Sequence, residues 1–180
     1  MPHISVNPNS VGIRSLFEFR PETAGPLLQL ADALLQSNGS LSRGERELIA
    51  SYVSHLNECN FCELSHSCFA ALQLEGGWNI VDATLDDPES APISNKLRAL
   101  LAIAKCARES GKKVTKSEIE RAKDAGASEI EIHDTVLIAA AFSMFNRYVD
   151  GLGATCPPDK DAYMDRARQV VESGYSPPIK

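Results

Sequence analysis

The sequence predicts an all-α protein built as a single domain. Apolar residues recur at helical spacing in most segments, Ser or Thr residues suited to cap helices precede several of these segments, and no segment shows convincing apolar–polar alternation. The chain has 180 residues, of which 43% are hydrophobic, and this is enough to bury one sizeable core. We therefore expect one helical domain over residues 1–180.

The first elements follow from prolines and caps. Residues 1–20 have no sustained period, and we expect an N-terminal arm, either extended or holding a short helix against the body. Pro26 suits an early helical position, and leucines at helical spacing predict a helix that ends before Gly39. Ser42 and Glu45 fit a capping box, which predicts the start of a second helix.

The second helix is expected over about 43–56, and a third carries the chain onward until Gly76 and Gly77. Ser94 is a further cap, and Thr115 with Glu118 and Ser128 with Glu131 fit two more capping boxes. These three signals predict three more helices. Two further predictions concern the C-terminal part. The helix from about Glu129 to Asp150 is apolar on nearly every face and is expected to be central or buried in a subunit interface, whereas a last helix over about 159–173 is polar and expected at the periphery.

Composition excludes several classes of function. A net charge of -6, with no run of Lys or Arg, argues against nucleic-acid binding. No apolar stretch approaches the roughly 20 residues of a membrane span, and no signal-peptide pattern is present, so we expect a cytoplasmic protein. Five cysteines do not form the pattern of a secreted disulfide scaffold, and any disulfide is expected to be a redox-active one.

The reactive groups concentrate in residues 57–66, which hold Cys59, Cys62 and His66. On a helix these three side chains share one face. Asn57 is a good N-cap, and this predicts that both thiols lie in the first turn, where the helix dipole favours an anion. A CxxC pair at a helix start is the arrangement that lowers a thiol pKa from about 8.5 toward neutrality.

A carboxylate is expected opposite the imidazole. If the chain reverses near Asn57 into a helical hairpin, Glu47 faces His66 at similar distance from the turn. Glu47 would then increase the basicity of His66, and His66 would draw the proton from Cys62. A solvent-exposed helix glutamate is the simpler alternative for Glu47.

The remaining cysteines and His55 have simpler interpretations. His55 either lines the same cleft or is an exposed turn histidine, Cys68 and Cys106 are expected in the core, and Cys156 is expected to be a free loop thiol. A zinc site remains an alternative, because His55 with the CxxC pair and His66 offers four ligands of the right type. Four ligands on one short helical region rarely close a tetrahedron, so no bound metal is expected.

Residues 41–47, residues 53–62 and His66 resemble the alkylhydroperoxidase D (AhpD)-like family of the carboxymuconolactone decarboxylase superfamily, in particular its peroxidase-related branch. The specific part, a redox core, spans about residues 41–77, and residues 145–153 are similar to the family's closing helix. The resemblance implies an all-helical fold, assembly as dimers, trimers or hexamers, and thiol-dependent reduction of hydroperoxides. The decarboxylase branch lacks the cysteine pair, so that activity is not expected.

Carried over by position, the resemblance implies that Cys62 attacks the peroxide, Cys59 resolves the sulfenate into a disulfide, and Glu47 with His66 relays the proton. An external dithiol, on a lipoyl-bearing or thioredoxin-like protein, would close the cycle. The best-studied members place a histidine just before the second cysteine, whereas this chain has Phe61. That departure favours an alternative, a thiol–disulfide exchange or redox-sensing protein with little peroxidase activity; a zinc-bound helical interaction module is a further one. No haem, flavin or nucleotide motif is visible, so no cofactor is expected.

Overall fold

Nine α-helices and a single 3-10 turn, with no strand, make up the part of the chain that the computed structural model describes, residues 1–176. The helices are α1 (Ile13–Phe19), α2 (Pro21–Leu35), α3 (Arg43–Leu56), α4 (Asn60–Ala71), α5 (Trp78–Asp86), α6 (Asn95–Glu109), α7 (Lys116–Asp124), α8 (Glu129–Gly151) and α9 (Asp161–Ser173). The predicted all-α class is confirmed for these residues. The expected domain over 1–180 includes residues 177–180, which lie outside the described part.

Capping side chains fix the starts of four helices. Three predicted capping boxes are present, each with a hydroxyl that accepts from the N3 amide and a glutamate that reaches back to the cap. They are formed by Ser42 and Glu45, Thr115 and Glu118, and Ser128 and Glu131. Ser94 caps α6, also as predicted. These local signals need no tertiary information, which explains why the sequence predicts them well.

The N-terminal region differs from prediction in one respect. The predicted arm holds the short helix α1, but α2 begins at Pro21 rather than near Pro26. Pro21 occupies the first helical turn, where its missing N–H costs no hydrogen bond. Helical periodicity is weak between the two prolines because this first turn and a half is polar and exposed.

The turn between α3 and α4 seats the first cysteine of the CxxC pair. Asn57 is the C-cap of α3, Glu58 adopts a left-handed conformation with φ 61°, and Cys59 is the N-cap of α4. The Glu58 amide donates to the His55 carbonyl at 2.9 Å and the Cys59 amide donates to the Ser54 carbonyl at 3.0 Å. This is a Schellman-type ending, which reverses the chain within three residues.

The predicted role of Asn57 as an N-cap is therefore wrong. Its backbone ends α3, and its side-chain amide instead donates to Asn146 Oδ1 on α8 at 2.8 Å. Asn146 in turn donates to Ser54 Oγ at 3.0 Å, so a buried polar chain ties the turn to α8. Asparagine suits both helix ends, and its sequence position alone does not decide between them.

Helix α8 passes through the middle of the fold, and ten of its residues are buried, which confirms the prediction of a central helix. The last helix is peripheral, as predicted, since most residues of α9 are exposed, but one of its faces is buried. Tyr163, Ala167 and Val170 of α9 are buried, and α9 packs on α4. These three residues form a narrow stripe at helical spacing within a polar sequence, which is enough to hold one face of a helix against the core. No helix within residues 1–176 is long and apolar enough to cross a membrane.

Candidate active site

Polar side-chain pairs cross the hairpin that α3 and α4 form. The pairs are His55 Nδ1 with Glu63 Oε2 at 3.2 Å, Ser51 Oγ with Ser67 Oγ at 2.7 Å, and Glu47 Oε2 with His66 Nδ1 at 2.7 Å. The predicted contact between Glu47 and His66 is confirmed. It is the deepest of the three, because Glu47 is fully buried and His66 is 8% exposed.

The Glu47 carboxylate accepts three hydrogen bonds. Besides His66, Tyr175 Oη donates to Oε1 at 2.6 Å and Gln36 Nε2 donates to Oε1 at 3.3 Å. A buried carboxylate without partners would be costly, and these donors offset that cost. An ionised carboxylate only accepts, so Nδ1 of His66 carries the proton. Nε2 of His66 is then the nitrogen with a free lone pair.

Tyr175 is the member of the site that sequence reasoning missed. It follows α9, and the backbone amides of Tyr175 and Ser176 donate to the two carboxylate oxygens of Asp32 at 2.6 and 2.8 Å. Its ring stacks on the His66 ring, with centroids 6.0 Å apart and planes 22° apart. Burial, and then the adjacent Glu47, raise the pKa of Tyr175 well above its ordinary value, so the phenol keeps its proton and donates.

The two thiols are reduced, buried and unequal. Cys59 is fully buried, whereas Cys62 is 4% exposed and lines the cavity described below. The hydrogen bond of Cys59 to Cys62, followed by burial, raises the pKa of Cys59 strongly. The expectation of a lowered thiol pKa is wrong for Cys59, because the thiol is buried beside Cys62 and close to the Asp150 carboxylate, all of which disfavour a thiolate.

A cavity of about 440 Å³ brings Cys62 and His66 to one surface. They stand one helical turn apart on α4. The walls are largely apolar and come from α1, α2, α4 and α8: Ile13, Leu27, Phe61, Phe69, Phe142 and Phe145. The volume falls within the ~300–1,000 Å³ typical of small-molecule sites. The cavity can therefore hold an organic molecule against the thiol.

Phe61, the residue that departs from the family pattern, is part of this wall. Its ring lies 5.7 Å from the ring of Tyr163, centroid to centroid. On the other side it meets Gly12, where a Cβ would stand 2.0 Å from a ring carbon of Phe61. Gly12 also has φ 55°, so only glycine suits that position. Phe61 has no polar group and supplies packing and apolar surface to the site.

Residues 21–76 match the family model described as "Carboxymuconolactone decarboxylase family", a segment that contains Glu47, both cysteines and His66. An AhpD core structure, an uncharacterized peroxidase-related protein from Ralstonia eutropha JMP134, is similar with a TM-score of 0.76 and 24% identity over 87% of this chain and 80% of that chain. Together these findings show that residues 21–76 are similar to this family and that the chain shares the fold of the AhpD core structure. An uncharacterized peroxidase-related protein from Silicibacter sp. TM1040 has a TM-score of 0.75 and 21% identity, with coverage of 84% and 78%. The comparison with curated proteins found no match.

The other three cysteines of the chain do not line the cavity. Cys68 is fully buried, as expected, and burial raises its pKa to about 11. Cys106 is only half-buried, so the expectation of a core residue is wrong, because the outer edge of its helical stripe faces partly outward. Cys156 Sγ lies 3.4 Å from Tyr163 Oη in the loop before α9.

His55 behaves as the exposed turn histidine of the two alternatives. Its side chain is 41% exposed, pairs with Glu63 and does not line the cavity. Within residues 1–176 no three His, Cys, Asp or Glu side chains form a group suited to a metal ion. The zinc alternative therefore has no converging ligand set in the described part of the chain.

Proposed function

We propose that this protein is a thiol-dependent peroxidase that reduces organic hydroperoxides through a dithiol–disulfide cycle of Cys59 and Cys62. The observation that carries the proposal is the shared cavity, which exposes Cys62 beside a histidine whose other nitrogen is bonded to buried Glu47. A thiol, a neighbouring base and a group that orients the base are the parts that nucleophilic catalysis requires. The AhpD-like fold is consistent with this chemistry.

In the first half of the cycle, Nε2 of His66 receives the proton of Cys62. The Cys62 thiolate attacks one peroxide oxygen, so an S–O bond forms as the O–O bond breaks. The departing alkoxide takes the proton from His66 and leaves as an alcohol, and Cys62 becomes a sulfenic acid. Glu47 holds the imidazole in the required tautomer and stabilises its protonated form.

In the second half, Cys59 attacks the Cys62 sulfenic sulfur, a disulfide forms and water leaves. The positions of the two thiols support this order, because Cys62 lines the cavity whereas Cys59 is fully buried and does not line it. An external dithiol, on a lipoyl-bearing or thioredoxin-like protein, then supplies two electrons and two protons. A cycle of this kind operates where thiols are kept reduced, so we place the protein in the cytoplasm.

Tyr175 acts as a positioning residue in this scheme. Its phenol donates to Glu47 and its ring covers the His66 imidazole. Both contacts restrain the two side chains whose alignment sets the position of Nε2. The raised pKa of Tyr175 keeps its phenol protonated, so Tyr175 does not act as a nucleophile or a base.

The experiment is a single-turnover reaction of the reduced protein with one equivalent of cumene hydroperoxide, followed by stopped-flow and peptide mapping. We expect rapid loss of two hydrogens at Cys59 and Cys62 and release of one alcohol per chain. Cys62→Ser should abolish the fast phase, whereas Cys106→Ser, a half-buried thiol outside the cavity, should keep it. Oxidation of the wild type no faster than a free thiol would remove the peroxidase proposal.

Phe61 favours a second candidate, thiol–disulfide exchange or redox sensing with little peroxide turnover. With phenylalanine before the second cysteine, the site has one fewer titratable group beside Cys62. This candidate predicts that the same protein reacts slowly with cumene hydroperoxide but rapidly with an oxidised dithiol such as lipoamide disulfide. Comparison of the two rates distinguishes the candidates.

We also propose that the chain acts as a single helical domain that forms a homo-oligomer. The cavity draws Ile13 and Tyr175 from opposite ends of the chain, which supports one unit around the redox core of residues 41–77. On α8, Ile130, Leu137 and Met144 repeat every seven residues and are 64%, 40% and 43% exposed. Such a face supports a helix-to-helix subunit contact.

A charge placed on that face tests the subunit contact. Leu137→Lys should shift the sedimentation coefficient toward that of a monomer, because the lysine would have to be desolvated in the contact. The control is Lys105→Leu, which replaces an exposed charge on α6 by an apolar side chain and should leave the assembly unchanged. A wild type that sediments as a monomer at high concentration would contradict the oligomer proposal.

A further inference from the structure

Two arginines line the largely apolar cavity that holds Cys62. Arg14 comes from α1 and is exposed, whereas Arg166 comes from α9 and is half-buried. Arg166 is held in place, because Nη1 donates to Gln169 Oε1 at 2.8 Å and Nη2 donates to the Tyr175 carbonyl at 3.0 Å. Burial, and then the nearby charge of Arg14, lower the pKa of Arg166. Two positive charges therefore border the same cavity.

Nearby carboxylates do not pair with them. Glu18 also lines the cavity and is close enough to Arg14 to feel its charge, but its oxygens accept from Asn7 and Ser10. The carboxylate of Asp32 is occupied by the backbone amides of the Tyr175 segment. Within residues 1–176, neither Arg14 nor Arg166 forms a salt bridge, whereas four other arginines do: Arg46, Arg108, Arg121 and Arg168.

Both guanidinium groups border one cavity and neither forms a salt bridge in the described part of the chain, although the charges of Asp32 and Glu18 act on Arg166 and Arg14 respectively. Their remaining N–H donors are therefore available to an anion that enters the cavity. The forked N–H donors of arginine match a carboxylate in geometry, and a carboxylate in this cavity would be attracted by both positive charges. Most of the remaining cavity surface is aromatic or aliphatic, which suits a hydrocarbon body better than a small polar peroxide.

We propose that the preferred substrate is an amphipathic acid hydroperoxide, whose carboxylate binds between Arg14 and Arg166 while its hydrocarbon chain fills the apolar cavity. The hydroperoxide group then faces Cys62 and His66. This inference rests on the proposed peroxidase function for its catalytic meaning. Its binding component stands on the cavity and the two arginines alone.

The kinetic experiment compares a fatty-acid hydroperoxide with its methyl ester, which removes the charge and keeps the chain. We expect kcat/KM for the acid to exceed that for the ester about tenfold at low ionic strength, and the ratio to fall as salt increases. Arg14→Gln should reduce the acid-to-ester ratio, because it removes one of the two charges that attract the carboxylate. The variant should fold normally, since the Arg14 side chain makes no hydrogen bond within the residues that the structure describes. Arg20→Gln, an equal charge change at an exposed position outside the cavity, is the matched control and should leave the ratio unchanged.

A binding experiment separates this inference from the peroxidase proposal. Decanoate and methyl decanoate are titrated into Cys62→Ser by calorimetry, which needs no turnover. Decanoate should bind about tenfold more tightly than methyl decanoate, and this difference should disappear in the double variant Cys62→Ser, Arg14→Gln. That result would support the anion site even if the wild type consumed neither hydroperoxide. Equal binding of acid and ester, or an unchanged ratio in the Arg14 variant, overturns the inference while leaving turnover of both hydroperoxides intact.

Discussion

Replacement of Glu47 by glutamine removes one charge from the centre of the proposed relay with almost no change of shape. Glu47 is fully buried and its Oε2 lies 2.7 Å from His66 Nδ1. A hydrogen bond to a charged group contributes roughly 1.5–3 kcal/mol, and each 1.4 kcal/mol corresponds to about a tenfold change in rate. If this interaction is made with the protonated His66 of the transition state, Glu47→Gln should slow the oxidation of Cys62 by about 10- to 150-fold.

The assay is stopped-flow oxidation of the reduced protein by cumene hydroperoxide at pH 7, with circular dichroism to verify the helical fold. The hairpin provides a matched control, since Glu63→Gln removes a carboxylate from the half-exposed His55 pair outside the cavity. That control should change the rate by less than about twofold, because exposed pairs contribute at most about 1 kcal/mol and His55 does not touch the cavity. A folded Glu47→Gln protein that reacts at the wild-type rate would refute the relay.

Two further predictions concern Tyr175 and Glu131. Tyr175→Phe should slow Cys62 oxidation by several-fold and lower the free energy of unfolding by about 1 kcal/mol, because Glu47 loses a hydrogen-bond donor at 2.6 Å. The control is Tyr148→Phe at a half-buried tyrosine outside the cavity, which should change neither the rate nor the stability. Equal pH–rate profiles for wild type and Tyr175→Phe would show that the phenol does not act on the relay. Burial works to raise the pKa of Glu131, but hydrogen bonds from Lys96 and then Ser128 outweigh it and lower the pKa from 4.5 to about 2. Because the pKa of Glu131 is lower in the folded state, its ionised carboxylate stabilises the protein above pH 4.5, and this stabilisation is lost as the pH falls toward 2. Urea unfolding should therefore show a loss of up to about 3 kcal/mol over this pH range in the wild type, and Glu131→Gln should not show it.

The sequence predicts best what local signals determine. Capping hydroxyls followed by glutamates define three helix starts, and helical spacing identifies α8 as central. The contact between Glu47 and His66 is also predictable, because a hairpin pairs residues at similar distances from its turn. One tertiary contact of the candidate site therefore follows from counting along the chain.

The rest depends on distant parts of the chain. Tyr175 reaches Glu47 across 128 positions, and the short segment after α9 has no periodicity that would point to a buried role. The position of Tyr175 follows from Asp32, whose carboxylate accepts hydrogen bonds from the backbone amides of Tyr175 and Ser176. No local sequence pattern reveals that contact. The raised pKa of Cys59 has the same origin, since it depends on the contact with Cys62 and on burial.

The central claim is that Cys62 attacks the peroxide and Cys59 resolves the product. Its most direct test is intact-mass and peptide analysis of Cys59→Ser and Cys62→Ser after one equivalent of cumene hydroperoxide, with a sulfenic-acid trapping reagent present. The account predicts that Cys59→Ser gains one trapped sulfenic acid on Cys62 at nearly the wild-type rate, and that Cys62→Ser gains none in that time. Trapping on Cys59 in Cys62→Ser, with Cys62 unmodified in the other variant, would contradict it.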